Sequence, residues 1–214
     1  MFRPLIVIAR RFPVTASFRP TYAAQRASVF PRVIPRFMQR FYASTPDDST
    51  TLDVKIAKAK EWFEEGTNRW NNNDLEGAKA AYQESAAQHP TSDNYYNLGN
   101  CLYNLGKPDE AIDSWLKCIL LDPAQLDAHV NLANVYALYM KTPEKALSHY
   151  KIATELNPDD GEVQYNYGVV LDSMGKLEEA VEMYEKAVGN GIEQAEKNLR
   201  NARAKLSGKA AAGN

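Results

Sequence analysis

The chain has 214 residues, 24% of them charged and 10% aromatic, and a formal net charge of −2. That size leaves room for one ordinary folded domain and a tail. The near-neutral total hides an asymmetry. Residues 1–46 hold eight arginines, no lysine and no acid, whereas the remainder holds 17 Lys+Arg against 27 Asp+Glu. A body this acidic is a poor partner for nucleic-acid phosphates, which need clustered cations. The only cysteines, Cys101 and Cys118, form no CxxC and no metal-ligand spacing, which argues against a disulfide scaffold or a thiolate metal centre. Both are expected to be reduced and buried as small hydrophobes.

Taken in chain order, the first element is an address. Arginine-rich, hydroxyl-bearing, acid-free leaders are the composition of organelle transit peptides. The apolar run Leu5–Ala9 is far shorter than the ~20 residues that span a bilayer. Five prolines between Pro4 and Pro35 forbid one long helix. The other reading of this composition is a basic arm that stays attached and binds RNA or lipid. The stretch Arg40-Phe41-Tyr42-Ala43-Ser44 resembles the processing site of mitochondrial precursors. The resemblance implies a transit peptide over 1–42, removed near Tyr42 or Ala43, and a mitochondrial, matrix location.

Residues 46–51 read as a polar linker, with 43–57 leading into the first helix. Leu52, Ile56, Ala59 and Phe63 then recur at i, i+3, i+4 spacing, the mark of an amphipathic helix. Asn71-Asn72-Asn73-Asp74 is a turn, with Asp74 as N-cap of a helix that passes Ala78, Tyr82 and Ser85 and ends before Pro90. The next helix covers Asp93 to about Leu105. Gly106 follows as its C-cap, and Pro108 sits in the first turn of the helix after that. Asp127–Met140 pairs with Pro143–Leu156, and Glu162–Met174 with Leu177–Val188. Gly189-Asn190-Gly191 breaks the chain. A last helix from Ile192 to about Leu206 carries Ala195, Leu199, Ala202 and Leu206 on one face, and the small polar tail to Asn214 is expected to be disordered.

A spacing of about 34 residues runs through these pairs. Gly66, Ala78, Tyr82, Ser85 and Pro90 return as Gly99, Ala111, Trp115, Cys118 and Pro123. They return again as Ala133, Ala146, Tyr150, Ala153 and Pro158, and then as Gly168, Ala180, Tyr184 and Ala187. The third copy has one extra residue. Fixed-period self-similarity points to stacked helix pairs and to a binding surface rather than a catalytic centre. The small residues let paired helices approach, and the aromatics are expected to fill the gap to the next repeat. Glu65 and Arg69, four apart in the favourable order, suit an exposed face of a terminal repeat.

This pattern is similar to the tetratricopeptide repeat. The resemblance implies an all-α, right-handed superhelix of about four helix-turn-helix repeats, at about 58–91, 92–125, 126–160 and 161–194. A capping helix over 192–207 and a tail over 208–214 complete it. It also implies that the first helix of each pair lines a concave groove. There, Asn97, Asn131 and Asn166, with Asn100 and Asn134, are candidates to hold the backbone of an extended peptide, since an amide both donates and accepts. Asparagine is also simply common at these points of the family. Phe63, Trp70, Tyr96, Tyr103 and Tyr165 are expected to flank the groove and supply apolar pockets. The family's basic clamp for a C-terminal carboxylate is not matched, because its positions hold Phe63, Thr67, Val130 and Asn134.

No catalytic constellation, phosphate loop or GxSxG is present. His89, His129 and His149 look scattered, and His129 reads as a packed imidazole. No cofactor and no metal are expected. The chain therefore reads as a non-catalytic mitochondrial adaptor or scaffold, an assembly or quality-control factor. Its partner is expected to be a protein or an extended polar or basic peptide, with no nucleic acid favoured and no membrane anchor. The alternative is an organelle RNA- or ribosome-associated helical-repeat factor.

Overall fold

A computed structural model describes residues 49–212. The expected leader and cleavage site, the start of the linker and the last two residues lie outside them. The described residues form nine helices and no strand. Contacts divide the chain after Ala124 into two compact units.

The earlier unit contains α1 (Ser49–Asn71), α2 (Leu75–Gln88), α3 (Ser92–Asn104) and α4 (Pro108–Leu121). α1 begins inside the expected linker, at Ser-Thr-Thr. The turn after it places Asn73 at φ 61°. Asp74 then caps α2 by accepting from the Gly77 N–H at 3.0 Å. α1 and α2 meet closely because Gly66 lacks a side chain: a Cβ there would lie 2.9 Å from the Tyr82 ring. α3 and α4 repeat the device more tightly, with a Cβ at Gly99 falling 2.5 Å from Trp115 Nε1. Tyr82 and Trp115 thus fill the space inside their own helix pair, whereas Tyr150 also stacks on Tyr167 of the next repeat, as expected. Ala78, Ala111, Tyr82 and Trp115 are buried. Thr91 caps α3 by accepting from the Asn94 N–H at 3.2 Å. After α3, Gly106 takes φ 73°, and Pro108 opens α4 at its first turn. Arg69 pairs with Glu65 at 2.6 Å on the exposed face, as the spacing predicts.

The later unit contains α5 (Leu126–Leu138), α6 (Pro143–Leu156), α7 (Gly161–Ser173), α8 (Leu177–Gly189) and α9 (Glu193–Ala212). α5 ends two residues before the expected Met140. The extra residue of this repeat is absorbed there, where Lys141 is held at φ 50°. Gly106 and Gly175 occupy the matching turns of the second and fourth repeats, at φ 73° and 74°. A side chain in this region costs about 1–2 kcal/mol, less for asparagine, so Lys141 carries a strain that the two glycines avoid and that Asn73 of the first turn bears more easily. Asp160 caps α7 through the N–H groups of Glu162 and Val163. Gly189 belongs to α8, and Gly191, at φ 85°, makes the break.

α9 runs to Ala212, five residues beyond the expected end at 207. The tail's Lys and alanines are strong helix formers, so the helix continues where small residues suggested disorder. Ala195 and Ala202 are fully buried against Tyr184, Leu171 and Ala187. Arg203–Glu185 at 2.6 Å and Lys205–Asp172 at 2.5 Å tie α9 to α8 and α7. The helix caps its unit as the sequence predicts.

Candidate functional site

In the earlier unit, a cleft of about 460 Å³ opens between α1 and α3, above the end of α2. Its apolar wall is the stripe of α1: Ile56, Ala59 and Phe63. Lys60, Glu64, Asn68 and Asp93 give it a polar rim. The stripe exists because α1 starts about two turns before the repeat proper, leaving Ile56 40% exposed. Phe63 is fixed by the Tyr82 ring, with centroids 5.4 Å apart and planes at 60°. The base is a buried polar knot. Ser85 Oγ donates to the Ala59 carbonyl at 2.6 Å and lies 3.2 Å from Asn94 Oδ1. Asn94 Nδ2 donates to the His89 carbonyl at 2.8 Å. Three helices are thereby locked around the cleft, so its shape is set before any ligand arrives.

Of the candidate residues in this unit, Phe63 lines the cleft, whereas Trp70, Tyr96, Tyr103, Asn97 and Asn100 do not. Asn97 is half-buried and donates to the Asp93 carbonyl of its own helix at 2.9 Å. Asn100 is buried and accepts from Trp115 Nε1 at 3.1 Å. The Tyr103 ring lies 5.9 Å from that of Trp115. Trp70 and Tyr96 are half-buried.

The later unit holds Asn131, Asn134, Asn166 and Tyr165. Asn131 is half-buried. Asn134 accepts from the Tyr150 hydroxyl at 2.5 Å. Tyr165 is buried, and its hydroxyl accepts from Asn198 Nδ2 of α9 at 3.1 Å. Asn166 is also buried, and its Oδ1 has no partner among the described residues. A buried orphan acceptor costs about 1–3 kcal/mol, so Asn166 keeps an acceptor unused within the fold.

A rule absent from the sequence reading emerges. The residue after the small one holds the polar atom of the aromatic 15 or 16 positions later. Thr67 meets the Tyr82 hydroxyl at 3.2 Å, Asn100 meets Trp115 and Asn134 meets Tyr150. In the fourth repeat this position is the apolar Val169, which breaks the rule, and Asn198 of α9, bonded to the Tyr165 hydroxyl, is the amide that acts on Tyr184. The fixed spacing was the signal that would have revealed it.

Two of the three histidines are not scattered. His129 of α5 and His149 of α6 place their Nδ1 atoms 3.0 Å apart. Tyr136 stacks on His149 at 5.7 Å and 13°. Burial, with a smaller contribution from His129, lowers the His149 pKa to about 4. The contact needs one ring nitrogen to accept, and the lowered pKa leaves His149 neutral near pH 7 and able to do so. Among the described residues, no three His, Cys, Asp or Glu side chains gather as a metal site. Cys101 and Cys118 are buried free thiols. Burial pushes Cys101 up to about 12 and raises Cys118 too, so neither is a ready nucleophile.

Comparison with known proteins bears on this geometry. Models of the tetratricopeptide repeat match residues 93–125 and 135–198. The human protein O-mannosyl-transferase TMTC3 is 30% identical over 152 residues, 70% of this chain but 15% of TMTC3. The photosystem I assembly protein Ycf3 of Prochlorococcus marinus strain MED4 is 29% identical over 40% of this chain and 50% of its own. The chain thus spans half or less of these curated relatives. Among solved structures, a MamA protein superposes with TM-score 0.60 at 26% identity, over 72% of this chain and 90% of MamA. The first repeat domain of Spaghetti (RPAP3), bound to the HSP90 peptide SRMEEVD, gives TM-score 0.51 at 28% identity, over 55% of this chain and 94% of that one.

Proposed function

We propose, on the premise that the chain is built of tetratricopeptide repeats, that it is a non-catalytic mitochondrial matrix scaffold. It holds a partner protein by an extended segment while that partner is assembled or kept competent for assembly. The observation that carries this reading is the preformed apolar cleft between α1 and α3, with Phe63 in its wall and charged residues on its rim. Pre-organisation cuts the ordering cost of binding, and an apolar pocket with a polar rim is the usual anatomy of a specific interface. The peptide-bound Spaghetti domain supports a peptide ligand, and the Ycf3 likeness supports an assembly role. The basic clamp positions hold Phe63, Thr67, Val130 and Asn134, so the segment is read along its length and not by its terminal carboxylate. The matrix address rests on the eight arginines and the Arg40–Ser44 stretch.

The test has two arms. Import of the full chain into isolated mitochondria is expected to give a protease-protected product beginning near Tyr42 or Ala43; an unshortened or unprotected product defeats the address. Affinity purification of the C-terminally tagged protein is expected to recover a partner that Ile56→Glu loses. The triple change of Asn97, Asn131 and Asn166 to Ala is expected to weaken recovery. If both variants retain native helicity and full recovery, neither the cleft nor the amides hold the partner.

A further inference from the structure

The cleft has a candidate occupant within the chain itself. Six of the seven phenylalanines precede Ser49, and five of those six stand beside an arginine. The seventh is Phe63, in the cleft wall. The rim offers Glu64 and Asp93 against Lys60, and the chain from Asp47 onward carries 27 acids against 17 bases. Residues 1–46 have the opposite charge and contain no acid. A segment that sets arginine beside phenylalanine repeatedly therefore complements an apolar slot set in an acidic body.

Reach decides which part of the segment fits. α1 starts at Ser49, and Ile56 is seven residues along it, about 10 Å at 1.5 Å per residue. Phe63 is fourteen residues along, about 21 Å. Phe41 precedes Ser49 by eight residues, which span up to about 27 Å when extended. A chain folded back along α1 thus brings Phe41 to the stretch of the cleft between Ile56 and Phe63, and Phe37 has slack to spare. We propose that Arg36–Tyr42 (Arg-Phe-Met-Gln-Arg-Phe-Tyr) docks in this cleft of the full-length chain, with a phenylalanine ring against Ile56 and Phe63 and an arginine at Glu64 or Asp93. The segment ends where the leader is read to be cut. Removal of the leader would then uncover the partner site, so the proposal rests on the reading of the cleft as that site.

The experiment uses the full 214-residue chain with p-benzoylphenylalanine at Ile56, irradiated at low micromolar concentration and mapped by peptide mass spectrometry. The expected product is a cross-link within one molecule to the peptide holding Phe37 and Phe41. The double variant Phe37→Asp, Phe41→Asp, in the same background and with unchanged helicity by circular dichroism, is expected to lower its yield at least fivefold. Cross-links only between two molecules, cross-links to other peptides, or a yield unchanged by the double variant would overturn the docking. Partner recovery that Ile56→Glu abolishes, together with no such cross-link, sinks self-docking alone and leaves the scaffold reading standing.

Discussion

At the scale of single residues, asparagine does two kinds of work here. Asn100 is buried, and its Oδ1 satisfies the indole N–H of Trp115, itself 2% exposed. Asn100→Ala leaves that N–H without its acceptor, a loss of about 1–3 kcal/mol. Asn97 bonds only to a carbonyl of its own helix and is half-exposed. Asn97→Ala should stay within about 0.5 kcal/mol of the parent. Urea unfolding followed by circular dichroism separates the two. Equal midpoints for both variants would show that the Trp115 contact contributes nothing. The sequence places both asparagines on one helix three residues apart but does not say which faces the partner helix. That depends on where Trp115 comes to rest, and the ring is positioned by the missing Cβ of Gly99.

At the scale of elements, α5 and α6 are joined through the His129–His149 contact. Both rings are drawn from water, and His149 titrates at about 4 in the fold against about 6.5 when unfolded. The lowered folded value sets the sign. Between these values the unfolded chain binds more protons than the native one, so stability falls as pH drops from about 6.5 towards 4. Above 6.5 the contribution is complete. The full shift corresponds to at most about 3 kcal/mol. His149→Gln is expected to flatten the pH dependence of the urea midpoint across that window; an unchanged slope would place the acid sensitivity elsewhere. Helix identity was legible, because the small-residue and aromatic spacing, Asp74, Gly106 and Pro108 all mark boundaries by local chemistry. The histidine contact was not, since the two rings stand 20 residues apart on separate helices and meet only once those helices pack. The cleft was half legible. The stripe Leu52–Phe63 was visible, but its open wall requires knowing that α1 outruns the repeat and that Ser85 and Asn94 lock the base.

At the scale of the whole molecule, charge separates the two functions open to a helical-repeat chain of this kind. All the arginines before Asp47 belong to the leader, and the chain after it carries ten more acids than bases. If RNA were the ligand of the helical body, its affinity would have to come from cations that the body lacks. The leader alone, with eight arginines, can engage single-stranded RNA with a logarithmic salt slope of at most about −6. The full chain is therefore expected to retain RNA on a filter at 0.1 M salt and release it steeply as salt rises. The chain begun at Ala43 is expected to retain none at any salt concentration. Salt-dependent retention by the shortened chain would mean that a local basic surface overrides the net charge, and the RNA-associated reading would then replace the scaffold. Without it, the proposed reading of the helical body as a holder of protein segments stands. Under the proposed docking, the acidic excess would favour basic segments: at 0.1 M salt the field of these carboxylates extends about 10 Å from the surface, far enough to draw an arginine-bearing segment towards the cleft before its aromatic side chain is seated.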